Sequence, residues 1–233
     1  MAILYVIATP IGNLEDFTFR GLRILKEVYL ILAEDTRKTR KLLSYYNIST
    51  PLLNYHQHSK LKKVNYILNL LKEGRDLALV SEAGTPGISD PGNKLVKQVV
   101  ESLGNKVKIS PVPGPSALIA AVSIAGVPMD KFVFLGFPPS KRKRKKFFEK
   151  ITHSEYPVIF YESPHRLLKS LKELSLAIGN KRITKIVVCK ELTKKFEKIY
   201  RGDIQKVIKE IEQDLIKGEY VIITQGLKPD VSP

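Results

Sequence analysis

With 233 residues, 43% of them hydrophobic and 27% charged, the chain has enough apolar surface for one large core or two smaller ones, which excludes global disorder. A formal charge of +16 points to a phosphate polymer as partner, although a lysine-biased composition gives the same excess without one. The first apolar stretch, 3–8, has no basic leader, and nothing later approaches about 18 uninterrupted apolar residues, so a cytoplasmic protein with no membrane span is expected.

In chain order, short runs rich in Val, Ile and Leu alternate with segments of helical period, the pattern of an α/β protein with parallel sheets covered by helices. The first half predicts strands at 3–8, 29–33, 52–55, 76–80 and 107–110, with the clearest helices at 61–72 and 93–103. Pro111, Pro113 and Pro115 around Gly114 then break the pattern, and a helix of small residues follows at 116–125. That break predicts a boundary near residue 115, giving an α/β domain over 1–115 and a second over 116–233. The second domain predicts strands at 132–137, 157–161, 185–189 and 220–224, with helices at 145–151, 167–178 and 204–215. It is also the more basic, at +10 against +6. Six of its charges, Lys141, Arg142, Lys143, Arg144, Lys145 and Lys146, stand together, and their mutual repulsion predicts an exposed, solvated segment. Cys189 has no partner for a disulfide and reads as strand packing.

Ligands of open α/β sheets sit beyond the carboxyl ends of strands, and the residues there are unusual. The first strand runs into TPIGN (9–13), the fourth into SEAGTPGISDPG (81–92) and the fifth into PVPGPSA (111–117). Glycine lets a backbone approach a ligand and proline fixes its path, so main-chain recognition is expected at these turns. No GxxxxGK[ST] or GxGxxG motif is present, which removes the fingerprints of nucleoside triphosphatases and dinucleotide oxidoreductases. His56 and His58 lack further ligands at zinc spacing, so no metal is expected. No GxSxG elbow supports a hydrolase.

TPIGNLED (9–16), EDTR (34–37), SEAGTPGISDPG, PGPSA (113–117), FYESPHR (160–166), KELTKKFE (190–197) and YRGD (200–203), in this order, resemble the tetrapyrrole methylase superfamily. These are class III methyltransferases of two α/β domains with a cofactor cleft between them. The likeness spans nearly the whole chain and is greatest to the branch acting on ribosomal RNA. That resemblance implies S-adenosylmethionine-dependent 2'-O-methylation of a cytidine in the decoding region of 16S ribosomal RNA. It also implies the small ribosomal subunit as partner and a homodimer as the assembly. The implied cofactor contacts are Pro10, Gly84, Thr85, Pro86, Ile88, Ser116 and Ala117, with Tyr161, Glu162, Glu191, Val221 and Ile222 from the second domain. Many relatives carry a further basic tail, so RNA contacts made there are expected to be absent or replaced.

Ribose is a weak acid, so a general base or a cation that favours the alkoxide is expected beside the acceptor. Glu34 and Asp35 follow the second strand, and Glu162 and His165 follow a strand of the second domain; the residues do not choose among them. For RNA the candidates are Arg20, Arg37, Arg40, the run from Lys141 to Lys146, and Arg166. Two rival functions remain: methylation of a porphyrin or corrin by the same fold, and non-catalytic binding to the ribosome.

Overall fold

The computed structural model describes residues 1–56, 59, 61–90, 92–179 and 185–226. His58 and Pro91, named above, lie outside the described residues. The chain divides into two compact units, Met1–Ser116 and Ala117–Pro233.

The first unit is a five-stranded sheet of β1 (Ala2–Ile7), β2 (Leu30–Ala33), β3 (Leu52–Asn54), β4 (Leu77–Val80) and β5 (Val107–Val112). Their order is β3-β2-β4-β1-β5 and every pairing is parallel. LILA of β2 and LALV of β4 are apolar throughout because both faces are covered, as a parallel sheet requires. Successive side chains alternate between two cores. Leu30, Leu32, Leu77 and Leu79 meet α3 (Leu61–Lys72) and α4 (Gly92–Leu103). Ile31, Ala33, Ala78 and Val80 meet α1 (Phe19–Glu27) and α2 (Thr36–Tyr45).

The apolar pattern alone sets no start for α1 or α2. Each is started by a side-chain cap instead: Thr18 Oγ1 accepts from Gly21 N at 3.0 Å, and Asp35 accepts from Arg37 N at 2.9 Å. The edge strand β5 runs on through Pro111, which an edge tolerates because one side of it has no ladder to complete.

The second unit contains β6 (Val133–Phe134), β7 (Val158–Glu162), β8 (Ile186–Lys190), β9 (Lys198–Gly202) and β10 (Tyr220–Thr224), ordered β6-β7-β10-β8-β9. Here the expectation of a parallel sheet fails: only β6 and β7 are parallel, and β10 runs antiparallel to β7 and β8, as β9 does to β8. The connection from β8 to β9 is residues 191–197, too short for the crossover that a parallel neighbour needs. β9 itself was not foreseen, because the strand KIYRG on the sheet edge buries only Tyr200. The strand expected at 132–137 shrinks to two residues, since Gly136 takes φ +65° and Pro138 and Pro139 offer no N–H.

One face of this sheet packs against α6 (Arg144–Thr152), α7 (Leu167–Ile178) and α8 (Ile204–Glu212) through Phe148, Leu171, Val207 and Ile211. α5 (Ala117–Ser123) packs along β10. Cys189 is fully buried and burial pushes its thiol up to about 11, so it serves as packing. No described helix is long and apolar enough to cross a membrane.

Candidate active site

In the first unit the loops after β1, β4 and β5 are stitched together by main chain. Thr9 N donates to Gly84 O and Gly84 N to Thr9 O, both at 3.0 Å, and Thr85 Oγ1 donates to Pro115 O at 3.0 Å. Pro10, Gly84, Thr85, Pro86 and Ser116 are thereby brought to one edge of the sheet. Gly84 has φ +81°, a left-handed conformation that L side chains rarely adopt, and a Cβ there would stand 3.3 Å from Ile11 Cγ2, so the turn favours glycine by its backbone conformation. Ile88 follows, partly buried, in a turn held by a residue that the sequence reading missed. Asp90 accepts from Gly87 N at 2.7 Å and from Gly92 N at 2.7 Å. An Asp two residues before the glycine that opens α4 was the available signal. The buried Thr9 hydroxyl finds no partner among the described residues. An orphaned hydroxyl beside tight main-chain turns suits a polar nucleoside ligand better than an apolar one.

In the second unit Tyr161 pairs with Val221 across β7 and β10, and Glu191 N donates to Glu219 O at 2.9 Å just beyond β8. Tyr161, Val221 and Glu191 therefore share one end of the sheet with the start of α5, where Ala117 lies. Burial pushes the Tyr161 phenol up to about 12, against the Leu118 backbone N–H that donates to its hydroxyl oxygen. The ring is met edge-on by Phe134 at 5.0 Å and Phe137 at 5.4 Å. Ile222 turns the other way, into the core, and its main chain belongs to the ladders with Phe160 and Val188. Against the burial that would raise it, Lys194 and the Glu219 N–H hold the Glu191 carboxyl below its ordinary value. Lys190, in the same motif, is buried and its ammonium donates to Asp214 at 3.2 Å and to Leu215 O at 2.6 Å, a structural tie.

The four candidate bases have different surroundings. Asp35 caps α2, and its bonds to the Arg37 side chain and N–H pull its carboxyl down to about 2. Glu162 is 1% exposed and receives Arg166 Nη2 at 2.8 Å, Ser163 N at 2.8 Å and Ser170 Oγ at 2.5 Å. His165 is exposed on the turn closed by Arg166 N to Ser163 O. Glu34 stands apart. Burial, then the negative charges of Glu82 and Asp90, raise its carboxyl above the usual value, opposed by His56 and Lys38. It lines an open depression of about 530 Å³ with Asp35, Thr36, Arg37, Asn54, His56 and Glu82. Asn54 Nδ2 donates to the Glu34 carbonyl at 2.5 Å, and Lys38 pairs with Glu82 at 2.5 Å.

A second depression, of about 610 Å³, shares Thr36 and Arg37 with the first and adds Arg40, Lys41 and Ser44. Residues 37, 40, 41 and 44 recur at the three- and four-residue steps of one helical face, so α2 carries a cationic stripe of which the sequence reading named only two members. Arg20 is exposed and its guanidinium donates to Pro111 O at 2.8 Å.

The run at 141–146 is not uniformly solvated as expected. Lys141, Arg142, Lys143, Lys145 and Lys146 are exposed, but Arg144 is only 6% exposed. Its Nε donates to Glu173 at 2.5 Å, Nη1 to Pro139 O at 3.1 Å and Nη2 to Ser170 Oγ at 2.6 Å, so it is spent inside the unit. The signal was present in the sequence: Arg144, Phe148 and Ile151 fall four and three apart on the buried face of α6. Arg166 is also partly committed, to Glu162 and to Pro138 O at 3.2 Å. No group of three or more His, Cys, Asp or Glu that could hold a metal ion occurs among the described residues.

Residues 3–208 match the family model for tetrapyrrole (corrin/porphyrin) methylases. The chain is 42% identical over 231 residues to the ribosomal RNA small subunit methyltransferase I of Halalkalibacterium halodurans, covering 99% of this chain and 78% of that protein. It is 41% identical over 226 residues to the protein of the same name from Thermotoga maritima, covering 97% and 99%. Among solved structures, the cobalt precorrin-4 methyltransferase CbiF superposes with a TM-score of 0.66 at 20% identity, covering 97% of this chain and 96% of that one. The uroporphyrin-III-C-methyltransferase of Thermus thermophilus does so at 0.63 and 16%, covering 96% and 94%. At such identities these two speak for the fold alone. The match over residues 3–208 and the identities of 41–42% over nearly the whole chain place it in the tetrapyrrole (corrin/porphyrin) methylase family, in the branch of the ribosomal RNA small subunit methyltransferases I.

Proposed function

We propose that this chain is a cytoplasmic enzyme that methylates the ribose 2'-oxygen of a cytidine in the decoding region of small-subunit ribosomal RNA, working as a homodimer. The single observation that carries the reading is the likeness at 41–42% identity, over nearly the whole chain, to proteins named for that RNA substrate. The cationic stripe of α2 and the five exposed charges at 141–146 add to it.

S-adenosylmethionine is the proposed methyl donor and, when bound, supplies an electrophilic methyl group on a sulfonium. The main chain around Pro10, Gly84, Thr85 and Ser116 is proposed to hold it in the first unit. Tyr161, Val221 and the Glu191 loop are proposed to contact it in the second. The Thr9 hydroxyl, without a partner among the described residues, and the left-handed turn at Gly84 fit such a ligand.

For the proton of the ribose hydroxyl we favour Glu34. Arg37 holds the Asp35 carboxyl low and makes it a poor proton acceptor, and Glu162 is buried with its oxygens already taken by Arg166, Ser163 N and Ser170. A raised carboxyl is a better base near neutrality than an ordinary one, and a positioned base contributes about 10²- to 10⁴-fold. Arg37, Arg40 and Lys41, which line the neighbouring depression, are proposed to hold phosphates, which fix register without reading sequence.

Purified protein, methyl-labelled S-adenosylmethionine and unmethylated small ribosomal subunits test the proposal. Label in the RNA is the expected result. Label transferred to a corrin or porphyrin instead reassigns the substrate. Binding to subunits with no affinity for S-adenosylhomocysteine leaves a non-catalytic ribosome-binding factor.

A further inference from the structure

We propose that Arg144 is a positioning residue: it locks the basic segment 141–146 to the buried Glu162 at the end of β7, so that the exposed cations and Tyr161 keep a fixed geometry. The proposal rests on the RNA-methyltransferase reading for its consequence, though not for its geometry.

Glu162 is the hub. One oxygen takes Ser163 N and Arg166 Nη2, each at 2.8 Å; the other takes Ser170 Oγ at 2.5 Å and faces Arg144 Nη2 at 3.9 Å. Ser170 thus bridges the carboxylate to Arg144, whose Nη2 donates to the same hydroxyl at 2.6 Å. The two arginines then hold consecutive carbonyls of one loop, Arg166 that of Pro138 and Arg144 that of Pro139. Immediately upstream, Phe137 lies against the Tyr161 ring and Gly136 O accepts from Tyr161 N at 2.9 Å. Immediately downstream, Lys143 enters α6 with φ +66°, a left-handed backbone that a lysine adopts only when its surroundings impose it. From Tyr161 to Lys143 the chain is therefore fixed at both ends of the loop, and the Arg144 fork closes it.

An arginine is required for this. Its planar guanidinium reaches Glu173, Ser170 and Pro139 O at once and stacks 5.3 Å above the Phe148 ring. A lysine keeps the charge but presents a single nitrogen in place of the fork. That difference separates positioning from simple charge. If Arg144 only attracted phosphate, Arg144→Lys would be silent.

The test compares the wild type, Arg144→Lys and Lys145→Ala by three measurements. They are amide hydrogen exchange of 140–147 in the free protein, where Phe147 N donates to Lys143 O, the salt dependence of RNA binding, and single-turnover methylation of small subunits. For Arg144→Lys we expect exchange of 140–147 to rise about tenfold or more and turnover to fall about ten- to a hundredfold, with the salt slope unchanged. For Lys145→Ala we expect unchanged exchange, and a salt slope smaller by about one. Adding Glu162→Gln to Arg144→Lys should cost little beyond either alone, since both break one network.

Wild-type exchange and turnover in Arg144→Lys overturn the proposal, as does a salt slope reduced as much as in Lys145→Ala. A variant that is merely less stable, with normal exchange at 140–147 relative to the rest of the unit, overturns it too. Should the wild type transfer no methyl group to RNA, the substrate reading fails while the exchange comparison still decides the role of Arg144.

Discussion

The two units prepare their functional edges by opposite means. In the first, an all-parallel sheet sends three strands into loops held by main-chain bonds, Thr9 to Gly84 above all. In the second, a mixed sheet ends on a turn held by side chains, with the Glu162 carboxylate tied to Arg166, Ser170 and Ser163 N. Main-chain stitching depends on glycine and proline conformations and tolerates changes in charge. A buried ion network depends on every member, because removing one leaves the others desolvated and uncompensated. Mutations should therefore act locally and on ligand affinity in the first unit, and globally on stability in the second.

The largest effect that sharpens this contrast is expected at Glu34, the one acidic group of the first unit assigned to chemistry. Glu34→Gln should lower single-turnover methylation by about 10²- to 10⁴-fold with S-adenosylhomocysteine affinity unchanged. Protonated Glu34 cannot accept a proton, so wild-type turnover should rise with pH through a value above the ordinary carboxylate range. In the variant that limb should vanish, and a pH profile of turnover reads both.

Next comes Glu162→Ala, which takes the carboxylate from Arg166 and the acceptor from Ser170 and Ser163 N, and should cost about 3–5 kcal/mol in denaturant unfolding. A cost no larger than that of a surface residue would break the comparison. Gly84→Val should cost about 1–2 kcal/mol, from forcing a branched side chain into φ +81°, and should weaken S-adenosylhomocysteine binding measured by calorimetry.

The smallest effect is at the cap of α2. The Asp35 carboxyl is held low when folded, so its contribution to stability is present above the unfolded value of about 4 and is lost as pH falls through about 2. The melting difference between wild type and Asp35→Ala should close over that window.

Legibility in the sequence followed the same division. The strands of the first unit were readable because burial on both faces makes them continuous apolar runs, and its ligand loops because glycine and proline mark them. α1 and α2 were not, since their starts depend on capping by Thr18 and Asp35 more than on apolar period. Antiparallel pairing in the second unit is a matter of which strands meet, and local pattern is silent on that. Arg144 was misread because the repulsion argument treats a run of like charges as uniform, while a helix sorts its residues by face. Its Glu173, Ser170 and Glu162 partners are distant in sequence, and only folding brings them together. Lys41 escaped because α2 itself had not been placed.

The atom that receives the methyl group identifies the reaction. Small-subunit RNA methylated by the purified protein, digested to nucleosides and resolved by mass spectrometry, should carry the added methyl on the ribose of a cytidine. A methyl group on a base, or on no RNA nucleoside while a corrin acquires one, would contradict the account.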